Sequence, residues 1–134
     1  MNLDDLPLAE FAFPGPLRDK LVAAILSGAK TTTTALAALY VDEPLPVVGD
    51  VSAVVDSDGR RVAAIETTEV RVLRLADVDL QHAIDEGEGD RTVAQWRAGH
   101  EEFWNSTEVR AELADGFVLD DDTQVVTKRF RVVD

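Results

Sequence analysis

The sequence predicts an α+β fold: a curled, mainly antiparallel β-sheet or small β-barrel with helices around it. Three observations lead there. The elements run helix, strands, helices, strand. A turn signal, Ser57-Asp58-Gly59, separates two β-branched runs and reads as a hairpin. The regular strand–helix–strand alternation of a parallel sheet is missing. With 134 residues, 46% of them hydrophobic, the chain has the size and apolar content of one domain. That domain is taken as residues 1–134, with the first fourteen loosely attached.

Each element has a local cause. FPGPLRDK opens a helix, because Pro16 suits a first helical turn. Leu17, Leu21, Val22, Ile25 and Leu26 make its apolar face, and Gly28 ends it in the left-handed conformation. Thr31 to Thr34 is β-branched and extended, and Thr34 is placed to cap a short helix over Ala35 to Tyr40. Val51 to Asp56 and Arg61 to Leu73 read as strands, with a slip near Thr67-Thr68 that marks a bulge. Asp79 caps a short helix stopped by Gly87, and Asp90 is the expected cap of the next. Val93, Trp96, His100, Phe103 and Trp104 fall on one side of that helix. Thr107 to Leu113 adds a turn or two, and Gln124 to Val133 is the final strand.

Composition narrows the function. No apolar run approaches the ~20 residues that span a bilayer. The N-terminus lacks the basic start and apolar core of a secretory signal, so a cytoplasmic location is the expectation. There is no cysteine, which removes disulfides, thiolate metal sites and a cysteine nucleophile. The formal charge of −13 disfavours tight, nonspecific binding of RNA or DNA, which depends on neutralising phosphates. One nucleoside in a pocket needs few cations and stays open. Arg60, Arg61, Arg71 and Arg74 lie on or beside one hairpin and are the candidate basic strip.

Two stretches carry possible chemistry. In GAKTTTT, residues 28–34, one of only three lysines stands between a small-residue turn and four threonines. Lysine becomes a base when burial or nearby positive charge lowers its pKa, and a threonine hydroxyl in reach becomes its nucleophile. The plain alternative is a lysine favouring a helix C-terminus followed by good strand material. In HAIDEGEGDRT, residues 82–92, Asp85, Glu86, Glu88 and Asp90 crowd into six positions. Crowded carboxylates can furnish a general acid–base; equally, they can be a helix stop followed by a cap. His82 and His100 raise a metal pair, but without cysteine or His-x-x-x-His spacing no metal and no cofactor are expected. Glu66 and Glu69 form a weaker carboxylate pair on a strand.

Together, GAKTTTT and HAIDEGEGDRTVAQWRAGHEEFW resemble the ASCH domain family, small proteins with a PUA-like fold. The resemblance runs from about Phe13 to Val133. It includes Val48-Gly49-Asp50 entering a strand and IETTEV at Ile65 to Val70, and EGEGD resembles a bacterial single-domain subgroup. It implies either an amidohydrolase that removes an acyl group from the exocyclic amine of cytidine, or an RNA-binding protein or ribonuclease. For the amidohydrolase it implies a catalytic Lys30, Thr33 and Glu86: lysine as base, threonine as nucleophile, glutamate protonating the leaving amine. Gly28, Thr31, Thr34, Tyr40, Glu88, Asp90, Trp96 and His100 are the candidate substrate contacts. Ala35 stands where the family often has arginine, which favours a nucleoside over a nucleotide. Lys30 and Glu86 could instead form a purely structural ion pair. The expected partner is a nucleoside-like small molecule, with no membrane; monomer and homodimer both stay open.

Overall fold

The computed structural model describes residues 2–133. Its five strands are β1 (Leu8–Ala9), β2 (Thr32–Leu36), β3 (Val51–Val55), β4 (Arg61–Arg74) and β5 (Gln124–Val133). They form one mixed, curled half-barrel sheet in the order β1-β3-β4-β5-β2. Only β1 and β3 pair in parallel; the other neighbours are antiparallel. The helices are α1 (Pro16–Ser27), α2 (Leu80–Asp85), α3 (Val93–Trp104) and α4 (Thr107–Arg110). No helix among the described residues is long and apolar enough to cross a membrane.

The sheet is covered on both faces, which explains β5. Side chains alternate along a strand, yet Val125, Val126 and Thr127 are all buried. Phe130 packs with Leu21, Val22 and Ile25 of α1 on one face, whereas Val125 packs with Trp96, Trp104 and Val109 on the other. The register between β4 and β5 shifts between Thr67 and Glu69, where a bulge was expected. One extra residue there swaps the faces of β4, so the strand serves both cores.

Pairing also sorts the threonines of β2. Thr32, Thr34 and Leu36 stand opposite Arg129, Thr127 and Val125; Thr33 and Ala35 stand opposite Lys128 and Val126. Thr32, Thr34 and Leu36 therefore face α2 and α3. Thr33 and Ala35 face the side covered by α1.

Five local expectations change. The segment before α1 is docked, not loose: β1 extends the sheet, and Phe11 is buried with its ring 5.9 Å from Phe130. Its anchor is Arg18, which is 3% exposed and donates to the carbonyls of Phe11 (3.2 Å) and Ala12 (2.6 Å). The apolar face of α1 is accordingly narrower than predicted, since Leu17 and Leu26 are exposed. Thr34 does not cap a helix: β2 continues to the fully buried Leu36, and only a 3-10 turn, Ala37–Leu39, follows. The cap of α3 is Thr92, not Asp90, because the Thr92 side chain accepts from the Gln95 amide. Glu66 and Glu69 point to no interior site; Glu66 pairs with Arg131 at 2.6 Å and Glu69 is exposed.

Replacing Arg18 by Met would leave the carbonyls of Phe11 and Ala12 without that donor, at about 1–3 kcal/mol. The expected outcome in chemical denaturation is that loss of stability, with faster hydrogen exchange at Ala53, whose amide donates to the Pro7 carbonyl beside β1. Unchanged exchange would mean that Phe11 packing alone holds the segment.

Candidate functional site

The site forms where the start of β2 meets the end of α2. Gly28 leaves α1 with φ 86°, and the chain turns so that the Thr31 amide donates to the carbonyl of Asp85 at 2.8 Å. Gly87 lets the two segments touch. A Cβ at this position would lie 2.5 Å from the Ala29 oxygen and 2.7 Å from the Lys30 nitrogen. Its φ of 71° also favours glycine. This close approach seats Glu86 beside Lys30.

Lys30 Nζ lies 3.1 Å from Glu86 Oε1 and donates to the Glu86 carbonyl at 3.3 Å. Both side chains are 1% exposed. The other carboxylate oxygen, Oε2, accepts from Thr34 Oγ1 at 2.8 Å and from the indole N–H of Trp96. His82 Nε2 and His100 Nε2 stand 3.2 and 3.3 Å from it. His82 and Glu86 are four residues apart, so one helical turn places them on the same face.

With the Thr34 hydroxyl donating to ionised Glu86, the tautomer that fits has His82 Nε2, 2.6 Å from Thr34 Oγ1, as donor to that hydroxyl. His100 Nδ1 stands 2.9 Å from the Trp96 carbonyl, and its Nε2 faces Glu86 and, at 4.0 Å, Glu88. Both ring nitrogens face acceptors, so the imidazolium form fits. Trp96 stacks on that ring with centroids 4.3 Å apart.

These contacts move the pKa values. Burial by itself would raise that of Glu86. Hydrogen bonds from His100 and His82 and the charge of Lys30 outweigh it and hold the carboxyl well below its usual range. Burial pulls His100 down, but its hydrogen bond to Glu86, the Glu86 charge and the Trp96 carbonyl carry it above the ordinary histidine value. Glu88 is raised, chiefly by burial.

Of the residues expected at the site, Lys30, Glu86, Thr34, Trp96 and His100 converge, with Glu88 at the rim. Gly28 and Thr31 shape the approach. Thr33 does not join them: among the described residues its hydroxyl has no hydrogen bond, and it projects from the opposite face of β2. No hydrogen bond links Tyr40 or Asp90 to Glu86 among the described residues. The phenol pKa of Tyr40 is raised by burial and then by Glu43. His82 is the main addition; its signal was the four-residue spacing to Glu86.

Glu86, Glu88 and His100 offer three ligand atoms within 4.8 Å of one another. The Lys30 ammonium already faces Glu86, and a second cation there would meet its repulsion, so the set fits an ion-pair network better than a metal. A cavity of about 20 Å³ opens beside His82, lined also by Arg71, Asp79 and Thr127. It has room for a water molecule, not a base. An open cavity of about 470 Å³ near Ala37, Phe117 and Gln124 contains none of the motif residues.

A family model described as ASCH domain matches residues 10–134. Among solved structures, the chain is similar to an ASCH domain from Lactobacillus crispatus JV V101, with 28% identity and a TM-score of 0.77. That match covers 94% of this chain and 79% of the other. It is similar to a protein of Enterococcus faecalis V583, with 25% identity, a TM-score of 0.81, and coverage of 95% and 76%. A mutant ASCH protein from Zymomonas mobilis shares the fold at 12% identity and a TM-score of 0.55, with coverage of 92% and 66%. No curated protein matches.

Replacing Lys30 by Met strands a buried carboxylate and is expected to cost about 3–5 kcal/mol in urea denaturation. A cost below about 1 kcal/mol would mean that the pair contributes little. For wild type, the lowered Glu86 pKa gives stability that is present above about 4.3, its unfolded value, and lost as pH falls through the folded value. The raised His100 pKa gives stability that is full below about 6.5 and lost as pH rises through its folded value. Replacing His100 by Asn should flatten the alkaline limb; an unaltered limb would assign it elsewhere.

Proposed function

The chain belongs to the ASCH domain family, and from that premise we propose that it is a small amidohydrolase. It removes an acyl group from the exocyclic amine of a cytidine-type nucleoside. The observation that carries this reading is the contact of Lys30 with Glu86, 56 residues apart in sequence and fully enclosed. A buried ion pair adds little stability over apolar packing, and perturbed ionisable groups gather at functional sites.

In this reading a threonine of β2 attacks the amide carbonyl. The C–N bond breaks, the amine leaves with a proton, and water hydrolyses the threonine ester. Glu86 is ionised at neutral pH, so it orients the site and is not the resting proton donor. Its bonds to Thr34 and Lys30 hold β2 in place.

The RNA-binding reading finds less support. Arg60 pairs with Asp56 and Asp58, Arg61 with Asp4, and Arg74 with Asp77 and Asp122. Three of the four arginines in the expected strip are thus already matched by carboxylates.

The test is incubation with a panel of acylated cytidines, following loss of the acyl group. Wild type should turn over, with activity surviving chelator. Glu86→Gln, folded by circular dichroism, should lose about 10²-fold in kcat/KM through misplacement of β2. An inert wild type across the panel would overturn the reading. Salt-sensitive affinity for single-stranded RNA would favour the alternative.

A further inference from the structure

We propose that the open edge of β4 is a self-association surface. A second copy of this chain pairs antiparallel with it about Val70, setting Glu69 of each copy against Arg71 of the other. The proposal is independent of the catalytic reading.

The second half of β4 has a neighbour on one side only. The β3 register runs from Val55 opposite Arg61 to Val51 opposite Glu66 and ends there. The turn before β3 then takes up Thr67, whose N–H donates to the Asp50 carbonyl and whose carbonyl accepts from Gly49. Beyond Thr67, β5 is the neighbouring strand. In an antiparallel sheet, successive residues bond alternately to one side and the other. The Phe130 amide donates to Thr31, so even-numbered residues of β5 bond toward β2 and odd-numbered ones toward β4. Arg129 and Thr127 therefore bond Glu69 and Arg71, and the N–H and C=O groups of Val70 and Val72 point to the open edge. Among the described residues no backbone group meets them there. The edge is accessible: Glu69 and Arg71 are exposed, and Val72 is 47% exposed.

Such an edge recruits another strand unless its side chains repel one. Here the charges alternate in sign. Glu69 and Arg71, two residues apart, share a face, and among the described residues neither has an ion-pair partner. The groups that could compete are engaged. Arg129, opposite Glu69, is held by Asp85 at 3.0 Å. Asp77, which lines the small cavity with Arg71, pairs with Arg74. Asp79 accepts from the His82 amide.

A two-fold axis at Val70 makes Glu-Val-Arg its own complement. Two Glu69–Arg71 pairs form, and Val70 exchanges both backbone bonds with its counterpart. Other registers fail on charge. An axis at Arg71 sets arginine against arginine, and one at Val72 sets Arg71 against Leu73 and leaves Glu69 without a cation. Residues 69–72 carry no net charge, so this contact avoids the repulsion that a total of −13 imposes elsewhere. The turn at Gly49 and Asp50 ends the pairing at Thr68. Val47 and Val48, 60% and 61% exposed in that turn, stand where Val72 of the other copy arrives. So short a pairing falls below the ~1,200–2,000 Å² of a standard interface, so the dimer is weak.

Sedimentation equilibrium from micromolar to millimolar protein reads the association. Wild type should rise from the monomer mass toward twice that mass, with chemical-shift changes at the Val70 and Val72 amides. Glu69→Arg and Arg71→Glu should each weaken association about tenfold or more, because like charges then face each other twice. An equimolar mixture of the two variants should associate again, since every facing pair is then opposite in sign. Both substitutions fall on exposed side chains without an ion-pair partner, so circular dichroism and thermal unfolding should match wild type. A wild type that stays monomeric at millimolar concentration overturns the proposal. A dimer that neither substitution weakens overturns it too, as does a mixture of the variants that stays monomeric.

Discussion

A single carboxylate is buried where β2, α2 and α3 meet, and the local structure is arranged to keep it charged. An unpartnered buried charge is prohibitive. Glu86 is 1% exposed, yet it is met by the ammonium of Lys30, the hydroxyl of Thr34, the indole N–H of Trp96 and two imidazoles. The donors come from β2 and the residues before it, from α2 and from α3, so satisfying one acid ties three elements together. Gly87 permits the approach, and Glu86 in turn raises the pKa of His100. The aromatic stripe of α3 is therefore both core and hydrogen-bond donor.

Holding β2 this way has a consequence on its far side. A strand fixed through Thr32 and Thr34 must present Thr33 and Ala35 to the opposite face. The motif that looks continuous in sequence is divided by the pleat. One half is enclosed with Glu86, and the other stands beside Lys128. The cavity beside the enclosed half, at His82, is only about 20 Å³.

Much of this was legible in the residues, and the misses have physical causes. Pro16 and Gly28 marked the ends of α1, because both act through local backbone geometry. The bulge near Thr67 showed as a break in alternation. Lys30 and Glu86 were recognisable as motif residues, although their contact is long-range. Thr34 read as a cap because local propensity cannot see a carboxylate arriving from 52 residues away. Arg18 carried no sequence signal, because its partners are carbonyls of a segment with no periodicity of its own.

The central claim is that Glu86 stays ionised inside the protein because its donors outweigh its burial. The most direct test is a pH titration of the side-chain carboxyl carbons by NMR, with Glu86 assigned through Glu86→Gln. The account predicts that the Glu86 resonance keeps its ionised shift to lower pH than the exposed glutamates, and moves only as the fold is lost. A Glu86 carboxyl that protonates with the exposed glutamates, or above them, while the fold persists would contradict it.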